Sequence, residues 1–364
     1  MEASETSGID RILDQLREIL RTTGDRVLTS TRRNVRFGLV DVDADCTVTW
    51  PGGQIEILIE YKERGQPGII RNSATQLRSF QNAFSSSDVL PVFAAPYITE
   101  DGMEVCKEEG IGCIDEAGNC LLPMPGAHIE IRGRRNPRPE IRPIKSAFAP
   151  KSSRIIRVLL SDIRKSWQVQ ELASETGSSL GLVSRIKQYL LDEEFVIEKE
   201  RRIQVRAPRK LIDAWVENYR YKRNAFSEYY SFDDISKVEA GIADWCTTNN
   251  IRYALGLFSA AARIAPHVRM NKTFLFVDTD PSVVANALNL KQVHSGANVV
   301  LLRPYDQGVL YACTDYDGLS VVSDVQAYID LKTYKGRGEE AADFLMTQVL
   351  EKRWAQNQNT ALAK

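Results

Sequence analysis

Apolar positions in the first 132 residues recur at two spacings, one typical of helices and one typical of strands. Residues 9–22 are apolar at helical spacing, which predicts an amphipathic helix. Residues 35–62 predict β-structure around a Pro51-Gly52-Gly53 turn. Further apolar segments predict a helix, a buried strand, a helix and short strands, at residues 70–84, 89–98, 99–109, 111–115 and 119–131. Strands separated by helices are typical of a mixed α/β domain, which we expect over residues 1–132.

Residues 153–208 carry the pattern of three helices followed by two short strands. Gly177 ends the second predicted helix, and Ser178 or Ser179 caps the third. The two strands flank residues 199–202, which predict a turn at the surface. This order is that of a winged helix-turn-helix, which we expect over residues 153–212.

The third helix of this motif enters the DNA major groove in such proteins, and the wing contacts phosphates. Small, hydrogen-bonding and basic residues occupy the polar face of the predicted helix and the wing, which fits base edges and phosphate oxygens. The candidate DNA-binding residues are Ser178, Ser179, Ser184, Arg185, Lys187, Gln188, Lys199, Arg201 and Arg202. A winged helix that mediates protein contacts alone is the alternative interpretation.

Residues 213–364 alternate helical and strand patterns, which predicts an α+β domain. The predicted strands include FLFVD, NVVLLRP and GVLYACT, and a helix over EEAADFLMTQVLEKRW ends the pattern. Asp278 and Asp280 end an apolar strand before Pro281, so a turn is the better interpretation of this acidic pair than a metal site.

Composition is that of a water-soluble globular protein, with 43% hydrophobic and 26% charged residues. No apolar run approaches the ~20 residues that span a bilayer, and the N-terminus lacks the pattern of a signal peptide. We therefore expect no membrane partner. Six cysteines without a CxxC pair favour free thiols in a reducing cytoplasm.

The net charge of −1 conceals a basic stretch at residues 132–165, with eleven basic and two acidic residues. Four prolines mark residues 133–152 as a linker between the first domain and the helix-turn-helix. A basic segment beside a DNA-binding motif favours an arm that follows phosphates. A charged linker that is merely solvated is the alternative.

Carboxylates and a lysine meet on one face of the strand at residues 54–62. Period-two alternation places Glu60 and Lys62 together at the strand end, and Asp41, Asp43 or Asp45 of the preceding strand can reach Glu60. Two carboxylates hold Mg²⁺, and a lysine orients or activates the attacking water in phosphodiester hydrolysis.

This arrangement resembles the restriction-endonuclease-like (PD-(D/E)xK) family. Glu60-Tyr61-Lys62 matches the family's (D/E)-x-K triplet, Asp45 best matches its upstream aspartate, and Gln76 matches a helical glutamine of many members. The resemblance implies Asp45 and Glu60 as metal ligands, and Asp45, Glu60, Lys62 and Gln76 as catalytic residues with Mg²⁺ if the nuclease is active. No Pro-Asp pair precedes the strand, so a degenerate nuclease domain is the alternative.

The segment at residues 110–122 also resembles bacterial proteins that join this domain to a winged helix, with Asp115 in a structural role.

Residues 216–364 resemble the C-terminal domain of AbiEi-type antitoxins from bacterial type IV toxin–antitoxin systems, through YALGLFSAAARIAPHV and DVQAYIDLKTYKGRGEEAADFL. The resemblance implies a DNA-binding repressor of its own operon, a cognate toxin as partner and an AbiEi-like domain over residues 213–364. The usual family arrangement has the winged helix first. We expect a multidomain α/β regulator that binds double-stranded DNA as a homodimer and is not an enzyme, with a Mg²⁺-dependent DNA endonuclease as the alternative.

Overall fold

The sheet of the N-terminal part has a parallel centre flanked by two antiparallel three-stranded meanders. Its strands lie in sequence order, and β3, β4 and β5 run parallel while the other neighbours are antiparallel. The strands are β1 (Val27–Phe37), β2 (Val40–Trp50), β3 (Gly53–Tyr61), β4 (Val89–Ala95), β5 (Gly112–Asp115), β6 (Cys120–Met124) and β7 (Ala127–Ile131).

Helices cover both faces of this sheet. They are α1 (Glu2–Thr22), α2 (Pro67–Ala83) and α3 (Glu100–Glu108). Successive residues of β3 point to opposite faces, so Ile57 and Ile59 share a core with α1, while Leu58 shares another with α2 and α3. The result is a layer of strands between two layers of helices.

Three helices and a small sheet form the next part of the chain. They are α4 (Pro150–Ser161), α5 (Val169–Thr176), α6 (Leu180–Asp192), β8 (Val196–Lys199) and β9 (Arg202–Val205). β8 and β9 pair as an antiparallel hairpin, and Trp167 adds a further bridge to Ile203. The backbone at Trp167 is thereby fixed to the hairpin by two hydrogen bonds, of 2.8 and 2.9 Å.

A second mixed sheet carries the C-terminal part, with strand order β13-β10-β14-β12-β11-β16-β15. Its strands are β10 (Ala225–Tyr230), β11 (Tyr253–Leu255), β12 (Thr273–Val277), β13 (Lys291–Gln292), β14 (Val299–Arg303), β15 (Thr314–Tyr316) and β16 (Leu319–Val321). The helices are α7 (Pro208–Asn218), α8 (Ile235–Thr248), α9 (Leu257–Ile264), α10 (Pro281–Ala287), α11 (Asp324–Lys332), α12 (Gly338–Leu345) and α13 (Glu351–Asn359), with single turns at Tyr221–Arg223 and Gln307–Leu310 and a π-turn at Met346–Leu350.

The computed structural model describes residues 2–22, 24–37, 40–83, 89–137, 147–268 and 271–359. It divides into two units: Met1–Glu140 with Asp192–Glu194, and Ile141–Leu191 with Phe195–Lys364. In the second unit one hydrophobic core includes Leu159 of α4, Val183 of α6, Trp215 of α7 and Phe276 of β12. The helices at residues 150–192 and the C-terminal sheet are therefore packed as one body.

The chain is mixed α/β, as the sequence patterns predict. All six cysteines are free, and five of them are buried. Within the described ranges, no helix has the length and apolar composition needed to cross a membrane. Part of the basic stretch, including Arg138, Arg142 and Lys145, lies outside the described residues.

Candidate functional sites: a polar helix face and a strand-end carboxylate cluster

The connection between α5 and α6 is a tight turn fixed by its backbone. Gly177 adopts the left-handed conformation, with φ of 59°, where glycine avoids the strain that a Cβ would bring. The Ser178 amide donates to the Ala173 carbonyl at 3.0 Å, which closes the C-terminus of α5. Ser179 Oγ then accepts from the Leu182 amide at 3.3 Å and caps α6. This confirms the expected stop at Gly177 and the cap at Ser179.

The helix α6 has one apolar and one polar face. Val183, Ile186 and Leu190 are buried in the core of the second unit. The opposite face is exposed and presents hydroxyl, amide and guanidinium groups, from Ser179, Ser184, Arg185 and Gln188, with Ser178 half-buried at the preceding turn. These groups offer both hydrogen-bond donors and acceptors to a ligand that approaches this face.

Two of the predicted DNA-binding residues have carboxylate partners within the second unit. Lys187 Nζ lies 2.5 Å from Glu198 Oε1, which ties α6 to β8. Arg202 donates to Glu171 Oε2 at 2.8 Å and to the Ser166 carbonyl at 2.8 Å, which ties β9 to the start of α5. These contacts use the two cations to hold the hairpin against the helices.

The turn between β8 and β9 carries cations that, unlike Lys187 and Arg202, have no carboxylate partner among the described residues. Glu200 and Arg201 both have positive φ, of 51° and 59°, as is usual for the two central residues of a tight hairpin turn. Lys199 and Arg201 are exposed there, and Arg185 is exposed on α6. In the part of the chain that the structure describes, none of these three cations forms an ion pair. They are therefore available to an external anion.

The described cations of the basic stretch are largely engaged. Arg132 contacts both Glu104 and Glu130. Arg154 makes a two-point contact with Asp306, with Nε and Nη2 at 2.7 and 2.6 Å from its carboxylate oxygens. Each arginine thus stabilises the unit in which it lies. The sequence gives no sign of the partner of Arg154, which is 152 positions away.

Arg157 of α4 is the most deeply buried member of this stretch, at 1% exposed. It donates to Gln326 Oε1 at 3.0 and 2.6 Å and to the Ser153 hydroxyl at 2.8 Å. Its guanidinium lies over the Trp215 ring, 4.7 Å from the ring centroid. These contacts join α4 to α7 and α11. Because the guanidinium is buried, it cannot contact a phosphate of a DNA ligand.

A second polar region lies at the end of β3, where Glu60 is 4% exposed and forms an ion pair with Lys62. Burial raises the pKa of Glu60, the adjacent ammonium of Lys62 lowers it, and the charge of Asp43 raises it. Ala44 pairs with Ile59, so Asp43 and Glu60 are the next facing positions on the same side of the sheet. Asp43 Oδ2 also accepts from the Tyr61 amide at 2.7 Å.

Asp45 lies two residue pairs further along the hairpin than Asp43, opposite Leu58. It is 2% exposed, and Arg32 Nε donates to its Oδ2 at 2.9 Å. Burial and the charge of Asp45 raise the pKa of Glu56, which also contacts Arg32. Asp45 is thus neutralised by an arginine, while Asp43 is the aspartate that faces Glu60.

The predicted helical residue Gln76 is exposed on α2, whereas Ser73 of the same helix is buried.

Hairpin geometry could have identified Asp43 from the sequence. A two-residue turn at Pro51-Gly52 pairs Trp50 with Gly53, and seven further steps along both strands lead to Asp43 and Glu60. Asp115 is structural, as expected: it is fully buried and accepts from the Asn119 and Ile98 amides at 2.8 and 3.1 Å.

Residues 204–351 match the model of the AbiEi_2 family, described as "Transcriptional regulator, AbiEi antitoxin, Type IV TA system". This match confirms the resemblance of the C-terminal region to AbiEi-type antitoxins. No curated protein is significantly similar to the chain in sequence.

Two solved structures are similar to part of the chain. They are the crystal structure of a repair endonuclease from Pyrococcus abyssi and the structure of an EndoMS–double-stranded DNA complex. Each is 14% identical over 29% of this chain, with a TM-score of 0.22. The matches span 43% and 42% of the lengths of those chains.

Proposed function

We propose that this chain is a sequence-specific DNA-binding transcriptional regulator, an antitoxin-like protein of a bacterial toxin–antitoxin or defence system that represses its own gene. In this proposal α4, α5 and α6 with the β8–β9 hairpin are a winged helix-turn-helix, and α6 is the recognition helix. The match of residues 204–351 to a family of antitoxin regulators supports the regulatory role.

The observation that carries the proposal is the set of cations without an ion pair on one motif. Arg185 on α6 and Lys199 and Arg201 in the hairpin turn lack acidic partners among the described residues. In the basic stretch at residues 132–165, by contrast, Arg154 and Arg157 have intramolecular partners. Cations left unpaired beside an exposed row of serines and a glutamine fit phosphate contacts flanking base contacts.

The partners in this proposal are double-stranded DNA and a cognate toxin protein. We infer a homodimer, because a two-fold symmetric protein matches a palindromic operator with half-sites one helical turn apart. We infer a cytoplasmic location, since DNA lies there and buried free thiols persist in a reducing compartment.

The test is a titration of the purified protein against the DNA upstream of its own gene and against random DNA of equal length, at physiological salt. We expect binding to the upstream DNA at least ~1,000-fold tighter than to random DNA. Equal affinity for the two DNAs would contradict sequence-specific regulation and leave a non-specific DNA-binding or protein-contact role for the motif.

The strand-end cluster supports a second candidate function, a Mg²⁺-dependent DNA endonuclease directed by the helix-turn-helix. Asp43 and Glu60 supply oxygen ligands at neighbouring positions, and Mg²⁺ is commonly held by one or two carboxylates plus waters and substrate phosphates. Asp45 fits less well than Asp43 because it lies opposite Leu58, two residue pairs away from Glu60. Within the described residues, no group of three or more histidine, cysteine or acidic side chains forms a complete metal cage.

In this second proposal Mg²⁺ supplies Lewis acid activation of the phosphodiester. Asp43 and Glu60 would hold the ion, and Lys62 would hold the attacking water near Glu60. The test is a nicking assay on supercoiled plasmid with Mg²⁺, comparing Glu60→Gln and Asp43→Asn with Asp45→Asn. Loss of nicking in the first two and its retention in Asp45→Asn would support this site. Absence of Mg²⁺-dependent nicking in the unsubstituted protein would exclude the endonuclease function.

A further inference from the structure

A cavity of about 530 Å³ opens in the second unit between α8, α9 and the segment that leads into β12. Small-molecule sites in proteins have volumes of roughly 300–1,000 Å³. The lining side chains include Ile235, Glu239, Phe258, Arg263, His267 and Lys272. This cavity shares no residue with the helix-turn-helix or with the strand-end cluster.

A buried carboxylate lies in the wall of the cavity. Glu239 of α8 is 1% exposed. Its Oε1 accepts from the Thr273 hydroxyl at 2.5 Å, and its Oε2 forms an ion pair with Arg263 of α9. The Ser259 hydroxyl lies 3.0 Å from the Thr273 hydroxyl and accepts from the Phe274 amide, which extends the network into β12. Arg263 is thereby fixed in one position at the cavity wall.

One side of the cavity is lined by the N–H groups of an arginine and a lysine. Arg263 uses Nη2 for Glu239 and Nη1 for the Ser259 carbonyl at 3.3 Å. Lys272 Nζ lies 3.1 Å from Glu228 Oε1. Each of these cations has more N–H groups than these contacts use. Glu239 balances the charge of Arg263 and Glu228 that of Lys272, so this side of the cavity offers unused N–H donors to an acceptor group on a ligand.

Part of the remaining wall is apolar. Ile235, Phe258, Ala262 and Val268 line it with aliphatic and aromatic surface. The His267 ring stacks on Phe344, with centroids 4.1 Å apart and planes 9° from parallel, and its Nε2 lies 3.3 Å from Glu340. Binding sites for small organic molecules combine such apolar walls with a few fixed polar groups.

We propose that this cavity binds a small organic anion with an apolar body. The anionic group, a carboxylate or a phosphate, accepts hydrogen bonds from Arg263 and Lys272, and the apolar body packs on Phe258 and its aliphatic neighbours. Guanidinium groups bind both anions through paired hydrogen bonds. The proposal is independent of DNA binding, so its outcome is separate from that of the proposed regulator.

The experiment measures probe binding to the full chain by calorimetry and by the shift in melting temperature. The probes are 3-phenylpropionate, phenyl phosphate and the matched cation 3-phenylpropylamine. We expect at least one anion to bind with Kd on the order of 1 mM, and the amine to bind at least ~tenfold more weakly. The tighter of the two anions identifies the carboxylate or the phosphate as the preferred group.

Two variants connect the binding to the cavity. Arg263→Met is expected to weaken anion binding at least ~tenfold. The matched control is Arg252→Met, which removes an arginine that is paired with Asp278 and lies outside this cavity, and it should leave binding unchanged. If Arg263→Met does not fold, Lys272→Met provides the same comparison. Absence of binding by both anions, equal binding of the amine, or equal loss in the control variant would overturn the proposal.

Discussion

Arg185 and Lys187 lie two positions apart on α6 and have different surroundings. Lys187 is held by Glu198, whereas Arg185 is exposed and has no ion pair in the described part of the chain. A cation that already neutralises a carboxylate gains less from a phosphate than an unpaired cation does, because its partner already balances its charge. The helical pattern predicts that both residues bind DNA. Their contacts in the folded chain, which the sequence does not reveal, leave only Arg185 without an acidic partner among the described residues.

We predict that Arg185→Ala weakens binding to the upstream DNA about tenfold and lowers the slope of log affinity against log salt by about one. Lys187→Ala, the matched control, should change both quantities much less. Affinities measured by fluorescence anisotropy at several salt concentrations provide the test. Equal effects of the two substitutions would show that the Glu198 contact does not occupy Lys187 in solution.

Asp330 gives a prediction about pH. It is fully buried, with Tyr219 Oη donating to its Oδ1 at 2.5 Å and Gln326 Nε2 to its Oδ2 at 2.9 Å. Burial raises its pKa from 3.8 to about 6, and the hydrogen bonds from Gln326 and Tyr219 and the charge of Arg157 oppose that rise. A raised carboxyl pKa favours the folded state below the unfolded pKa, and this contribution is lost as pH rises through about 6.

In Asp330→Asn the side chain cannot ionise, so this pH dependence should disappear. We expect the free energy of unfolding of the variant, relative to the unsubstituted protein, to increase by roughly 2 kcal/mol between pH 4 and pH 7. Urea unfolding at a series of pH values measures this difference. A difference that is constant across the series would mean that Asp330 titrates normally in the folded protein.

At the scale of elements, the sequence predicts features that depend on adjacent residues, and it does not predict contacts between residues far apart in the chain. Gly177 and Ser179 mark the turn before α6, because a left-handed stop and a hydroxyl cap depend on adjacent residues. The pairing of Glu60 with Lys62 follows from the alternation of β3. The Gln326 partner of Arg157 lies 169 positions away, so the basic stretch looks like a free arm until the fold brings its partners together.

The turn between α5 and α6 gives a prediction at this scale. Gly177→Ala places a Cβ in the left-handed conformation and should destabilise the protein by about 1 kcal/mol. A Cβ there has space, since its nearest side-chain atom is Arg154 Nη1 at 3.9 Å, so the cost is conformational. The control is Gly181→Ala inside α6, which should stabilise slightly because its Cβ meets nothing within 4 Å. Thermal unfolding of both variants measures the difference, and destabilisation by both would contradict this account.

At the scale of the whole molecule, the helices α4, α5 and α6 and the C-terminal sheet share one core in the second unit. Arg157 lies inside this core, between α4, α7 and α11. The proposed DNA-binding motif, packed in this way, cannot reorient as an independent domain without breaking buried hydrogen bonds. A ligand bound in the C-terminal part, such as the anion proposed for the Arg263 cavity, would therefore bind to the same packed unit that contains α6.

The shared core predicts how a protease cleaves the chain. Trypsin should cut slowly after Arg206, Arg209 and Lys210, at a rate that follows global unfolding of the second unit, because these residues connect two parts of one core. Arg157→Met leaves buried acceptors unsatisfied, should cost about 2 kcal/mol, and should raise this cleavage rate about thirtyfold. Arg164→Met, which removes an exposed arginine paired with Asp162, serves as the control and should leave the rate unchanged. Rapid cleavage at these sites into two stable fragments would instead mean that the motif and the C-terminal sheet fold separately.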